Sequence, residues 1–253
     1  MRILAVAHNT FREAVRDKIL YVLLFFAAAT IFGAKALGWI SVGQDIKIVK
    51  DICLAATSIF GALIAIFVGT SLIYKEIDKR TLYTILSQPM HRYEFVLGKY
   101  LGLAGLLAVT TTVMTGVAAA YILLLGGGLE AVYFVAVLLI FWKLLLITAF
   151  ALLMSSLSSP ILGAIIVFCA YVFGHATEVF RDLPSQLQDT FAETILHAAY
   201  YVIPNLGNFD IWAEAANGVA INPGYVLWVL VYGLAYTVVL LILAVLVFEE
   251  KDV

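Results

Sequence analysis

Six runs of predominantly apolar residues dominate the chain, near 19–37, 52–74, 100–125, 131–154, 159–177 and 225–248, with polar punctuation between them. A helix crossing a hydrocarbon layer about 30 Å thick needs about 20 such residues, because it rises about 1.5 Å per residue. Each run meets that requirement, so the pattern predicts six membrane-spanning helices. The residues ahead of them follow a different rule. Leu4, Ala7, Phe11, Val15 and Ile19 recur at helical spacing, while Arg2, Asn9, Arg12, Glu13 and Arg16 fall mostly away from that stripe. Residues 1–18 are therefore expected to form an amphipathic helix in the membrane interface, bracing the bundle or meeting a cytoplasmic partner. A signal peptide does not fit, since Glu13 and Asp17 interrupt the basic residues and the next apolar run exceeds a typical h-region.

Composition sharpens this picture. Of 253 residues, 64% are hydrophobic and 13% charged, against roughly 45–50% and about 25% in soluble domains. An ordinary cytosolic enzyme, a disordered chain and a disulfide-stapled scaffold are excluded; Cys53 and Cys169 lie inside apolar runs without CxxC spacing. A net charge of −2 gives no electrostatic basis for nucleic-acid binding. The distribution of charge is more informative. With both termini inside, Arg2, Arg12, Arg16, Lys18, Lys75, Lys79, Arg80, Arg92, Lys99 and Lys251 are cytoplasmic, against Lys35, Lys47, Lys50 and Arg181 outside. Ten against four predicts that both termini are cytoplasmic; the expected location is the inner (plasma) membrane.

Turns at 126–130 and 155–160 are short, and function is sought in the two longer connections. In 75–99, Asp78 caps a short helix whose Leu82, Ile85 and Leu86 share a face, and Pro89 ends it. Glu76, Lys79, Arg80, Arg92 and Glu94 form a charged rim. Such a helix rests on lipid or receives the push of a soluble motor. In 178–224, Leu187, Phe191, Ile195 and Ala198 make an apolar stripe, Pro204 breaks the chain, and a second short helix is expected around 209–216. An extracytoplasmic gate and an amphipathic lid packed on the bundle are both compatible with this segment.

The order of residues in 75–99 resembles the coupling region of ATP-binding-cassette (ABC) type-2 permeases: Glu76, Thr81, Leu82, Ser87, Pro89, Arg92, Glu94, Gly98 and Lys99. Arg80 stands where many members have Gly. That departure, with the stretches 9–20 and 203–211, resembles the branch that includes the permease of nitrous oxide reductase maturation. The resemblance implies a six-span domain over 19–253, paired with a second copy or a homologue. It also implies docking on a cytoplasmic ABC ATPase dimer through Glu76, Asp78, Arg80, Thr81, Leu82, Leu86, Gln88, Pro89, Arg92 and Glu94. No GxxxxGK[ST] phosphate loop occurs in the chain, so ATP and Mg belong on that partner, and this chain is expected to be no enzyme and to bind no cofactor. The 178–224 region in this family forms short helices dipping into the outer leaflet, and Pro204, Asn205 and Phe209 are its gate candidates.

Lys143 lies mid-span, too deep to reach headgroups easily, and needs a partner or water. It is either a charge on a translocation path or dimer interface, or a structural cation. His8, His91, His175 and His197 lack metal-ligand spacing, and neither HExxH nor GxSxG occurs. His175 and Glu178 are placed to assist a cation. A channel or ion-gradient carrier without a motor is the competing class, though it would carry more charged or broken helices at the midplane. A membrane subunit transmitting mechanical work to a periplasmic protein is a further alternative. The apolar interface suits lipid or drug-like cargo, whereas the maturation-system resemblance implies a copper or sulfur species.

Overall fold

The computed structural model describes residues 2–38, 44–74, 91–176 and 203–250. Within them the chain is helical and free of strands: α1 Arg2–Val15, α2 Lys18–Gly38, α3 Asp45–Leu72, α4 Arg92–Leu124, α5 Ala131–Leu157, α6 Pro160–His175, a 3₁₀ turn Gly207–Phe209, α7 Trp212–Asn217 and α8 Pro223–Glu250. Five helices, α2, α3, α4, α5 and α8, are long and apolar enough to cross a membrane. The fifth predicted run, 159–177, is met by α6, whose 16 residues extend about 24 Å and fall short of the hydrocarbon thickness.

Helix starts follow local chemistry as well as hydropathy. α4 begins at Arg92, well ahead of its apolar run, because His91 and Glu94 form a capping box: the Glu94 carboxylate accepts the His91 backbone N–H at 3.1 Å. α6 starts with Pro160 in its first turn, where a missing N–H costs nothing. α7 stops at Gly218, whose φ of +68° reverses the chain in a conformation that favours glycine.

α3 and α5 form the buried centre, while α2 and α8 present Phe25, Phe26, Phe32, Leu234, Val238 and Ile242 outward. Small residues allow the central pair to approach. A Cβ on Gly61 would meet Leu144 at 2.6 Å, and one on Gly69 would meet the Cβ of Ala151 at 2.8 Å, so side chains of one helix seat against bare backbone of the other.

Cross-helix bonds fix the directions. Lys50 on α3 pairs with Glu130 beside the start of α5, and at the other end Ser155 Oγ accepts the backbone N–H groups of Ile73 and Tyr74 at 3.1 and 3.2 Å. α3 and α5 therefore run parallel. Trp142 Nε1 donates to the Leu230 carbonyl at 2.9 Å, placing α8 alongside α5. Arg92 donates to the carbonyls of Phe248 and Glu249, so α8 ends where α4 begins. Because α5 finishes at the Tyr74/His91 end and α8 starts at the Glu130 end, residues 158–222 carry the chain back through the thickness of the bundle.

The amphipathic N-terminal helix packs on α4 rather than resting on lipid alone. Gly98 and Gly102 form its seat: a Cβ at Gly98 would lie 2.6 Å from that of Val6, and one at Gly102 would lie 2.6 Å from the Ala7 carbonyl oxygen. Thr10 and Ala14 are buried in this contact. Lys99, also buried, lies 3.5 Å from Glu13 and 5.6 Å from the centre of the Phe95 ring.

Candidate functional site

Lys143 stands 12 residues into α5, about 18 Å from its start, with its side chain fully buried. An ammonium at that depth must be paired. α6 climbs from the Tyr74/His91 end over its 16 residues, about 24 Å, and stops level with it, so His175 arrives beside the cation. The stretch that includes the 3₁₀ turn then supplies the counter-charge. Lys143 Nζ donates to Asp210 Oδ1 at 2.5 Å and lies 3.2 Å from His175 Nε2. His175 Nε2 in turn is 2.9 Å from Asp210 Oδ2.

The histidine's tautomer follows from its other nitrogen. Nδ1 is 2.7 Å from the Tyr171 carbonyl oxygen, which only accepts, so Nδ1 carries the proton. In the neutral ring Nε2 accepts from Lys143; in the charged ring it donates to Asp210. The Trp212 ring closes the cluster, 5.4 Å from Lys143 Nζ, a cation–π distance. Three elements that share no local sequence thus meet on one buried ion pair.

The three gate candidates belong to the same insert. Leu206 N–H donates to the Gly174 carbonyl at 2.9 Å, and the Pro204 carbonyl oxygen lies 2.9 Å from where a Cβ on Gly174 would be. Asn205 N–H donates to Tyr232 Oη at 2.8 Å, and its side-chain oxygen accepts Gly207 N–H. Phe209 is fully buried against Gly233, with its ring 6.3 Å from that of Tyr232. Residues 203–217 therefore plug the bundle between α3, α5, α6 and α8, and Asp210 is their electrostatic anchor. Sequence reasoning singled out Lys143 and His175 but not Asp210. The available signal was a lone acid in the otherwise uncharged stretch 203–213.

Of the coupling residues, Glu76, Asp78, Arg80, Thr81, Leu82, Leu86, Gln88 and Pro89 lie outside the described residues. Arg92 and Glu94 are described, and both are engaged in organising helix ends: Arg92 on the last carbonyls of α8, Glu94 in the cap of α4. Gly98 is half of the seat for α1, and Lys99 lies beside it facing Glu13. Tyr74 and His91, which bracket residues 75–90, belong to the end of the bundle where Ser155 and Arg92 tie four helices together.

At the opposite end, Lys50 is buried and bonds Glu130 at 2.6 Å. That hydrogen bond is the main reason the Glu130 carboxyl is held below its usual range. Among the described residues no group of three or more His, Cys, Asp or Glu side chains is arranged to hold a metal ion.

Residues 4–253 match the model of a family described as ABC-2 family transporter protein. The chain belongs to that family, and with its apolar helices it is a multi-pass membrane protein and a transport component. No curated protein matches it significantly.

Proposed function

We propose that the chain is the permease subunit of an ABC transporter, moving or exporting its substrate by alternating access under the drive of a separate ATPase dimer that carries ATP and Mg. The family match across 4–253 carries this reading. In it, the chain crosses the inner membrane six times with both termini cytoplasmic, α6 and the 203–217 insert together completing the fifth crossing. The chain pairs with a second copy or a homologue. The further resemblance to the branch of nitrous oxide reductase maturation rests on Arg80 and the stretches 9–20 and 203–211.

The mechanism follows from how the ends are tied. Residues 75–90 join Tyr74 to His91, and the motor docks there through Glu76, Asp78, Arg80, Thr81, Leu82, Leu86, Gln88 and Pro89. A displacement at Tyr74 is felt by α5, because Ser155 holds the end of α3. Displacement at His91 is felt by α8 and α1, through Arg92 and the Gly98/Gly102 seat. The helices then tilt as a group, and the plug bearing Pro204, Asn205, Phe209 and Asp210 separates from Lys143 at the outer face. ATP must bind the two states with different affinity for any shift to occur.

The test is co-purification of the full chain with a phosphate-loop ATPase encoded beside it. Wild-type protein retains the ATPase through gel filtration, and Glu76→Ala with Arg80→Ala reduces the retained fraction at least tenfold while membrane insertion is unchanged. Substrate transport by the purified chain in liposomes that contain no ATPase would instead establish the motor-free carrier.

A further inference from the structure

The orientation rule depletes basic residues from the far side of a membrane protein, yet three of the four that the charge asymmetry assigns there converge on one place. Lys35 at the end of α2, and Lys47 and Lys50 in the first turns of α3, line a cavity of about 580 Å³ at the Glu130 end of the bundle, closed by the glycine turn 126–128 and by Asn217 of α7. That volume falls in the range of small-ligand sites. Two carboxylates share the cavity, Asp45 and Glu130, so three positive charges against two negative leave a net excess of one.

One of the two carboxylates is already engaged, and the other lies at a helix start. Glu130 is bonded to buried Lys50 at 2.6 Å, and Asp45 occupies the first turn of α3, where the helix dipole favours a negative charge. Lys35 and Lys47 are exposed and have no ion-pair partner among the described residues. A second observation points the same way. Gly126 needs its glycine for a φ of +80°, and Gly127 because a Cβ would strike Ile46 and Ile122 at 2.7 and 2.8 Å, but Gly128 meets neither demand: a Cβ there would touch nothing within 4 Å. Its bare backbone opens onto space that a side chain would fill.

Position selects the chemistry. Tyr121 Oη donates to the Phe32 carbonyl at 3.0 Å, holding the last turns of α2 against α4, and Phe32, Leu123 and Leu124 are outward-facing apolar residues just below the cavity. A polar cationic cleft bordered by a lipid-facing rim sits at headgroup level. We propose that this cleft binds a phosphate group, held by Lys35 and Lys47 against the Gly128 backbone. The site is independent of the ATPase-driven reading given above.

The full-length chain in nanodiscs tests it by thermal unfolding and native mass spectrometry. In phosphatidylglycerol the Tm is expected to rise by several degrees over phosphatidylcholine, with the anionic lipid retained at least threefold more. Adding millimolar inorganic phosphate to phosphatidylcholine discs separates the sources: a matching rise assigns a soluble phosphate, and no rise assigns the lipid headgroup. Either response should vanish in Lys35→Gln with Lys47→Gln. It should also vanish in Gly128→Leu, which fills the cavity where nothing in the fold obstructs it and so keeps the wild-type Tm in phosphatidylcholine. Equal behaviour of all lipids and of phosphate, or an effect that survives these substitutions, overturns the proposal.

Discussion

Lys143 shows how much one residue can ask of a fold. Its ammonium is fully buried, and its Coulombic attraction to Asp210 at 2.5 Å offsets a desolvation penalty that no exposed pair would face. Removing one partner of such a pair is far more damaging than removing both, because the remaining charge is left in an apolar medium. Asp210→Ala is expected to destabilise the protein by about 3–5 kcal/mol in denaturant unfolding in micelles, whereas Lys143→Met combined with Asp210→Leu recovers most of that loss. A double variant no more stable than the single one would assign the loss to packing of the 203–217 insert instead. Lys143 has a carboxylate partner, and that pair fastens the segment nominated as the gate.

At the scale of elements, the amphipathic stripe of 1–18 announces a helix but not its partner. Leu4 still faces outward at 70% exposure, while Thr10 and Ala14 are buried, so α1 divides its surface between lipid and α4. The α4 side of this contact is a Gly98-xxx-Gly102 spacing, which lets two backbones approach as closely as small residues permit. Gly102→Val places side-chain atoms where the Ala7 carbonyl and Thr10 now sit. An overpacking cost of about 1–3 kcal/mol is expected, read as faster hydrogen exchange in α1 with the core of α3 and α5 unaffected. Ordinary protection of α1 in that variant would mean the helix is held by lipid and the Glu13–Lys99 contact alone. Gly98 and Lys99 belong to the motif that carried the family resemblance; here they secure the N-terminal helix to the lever that leaves residues 75–90.

For the whole molecule, the arrangement is two tied ends with a plug between. The Tyr74/His91 end is bound by Ser155, Arg92 and the α1 seat; the Glu130 end is bound by Lys50–Glu130; and the plug sits on Lys143. If outward opening requires the plug to leave α6, a covalent link between them should stop turnover without affecting assembly. Gly174→Cys with Leu206→Cys, in a Cys169→Ser background, joins positions whose backbones already share a 2.9 Å hydrogen bond; because the new Cβ at 174 presses on the Pro204 carbonyl at 2.9 Å, the reduced form of the same variant is the reference. Oxidation of this variant is expected to leave ATPase co-purification intact and to reduce transport-coupled ATP hydrolysis at least tenfold, with recovery on reduction. Unchanged hydrolysis in the oxidised state would make the insert a fixed lid.

Much of this was readable in advance because hydrophobic length is a local property. Apolar runs of about 20 residues identify helices whatever their neighbours, and the runs at 52–74, 100–125, 131–154 and 225–248 lie within or close to α3, α4, α5 and α8. The 159–177 run marked α6 but overstated its reach, since hydropathy does not register that the chain turns beside His175 to make room for an insert. Family membership, too, was legible in ordered residues of one segment.

What sequence alone determined is therefore an all-helical, lipid-embedded chain, its amphipathic lead-in, and a mid-span cation that required an answer. Only the tertiary structure decided that answer, because Asp210 lies 67 positions away and its isolation in an uncharged stretch does not say which cation it meets. The same holds for Ser155 on the end of α3, Arg92 on the end of α8 and the gathering of Lys35, Lys47 and Lys50 around one cavity. Periodicity is written by neighbours along the chain, whereas charge pairing depends on distance in space, which is fixed only when the helices pack.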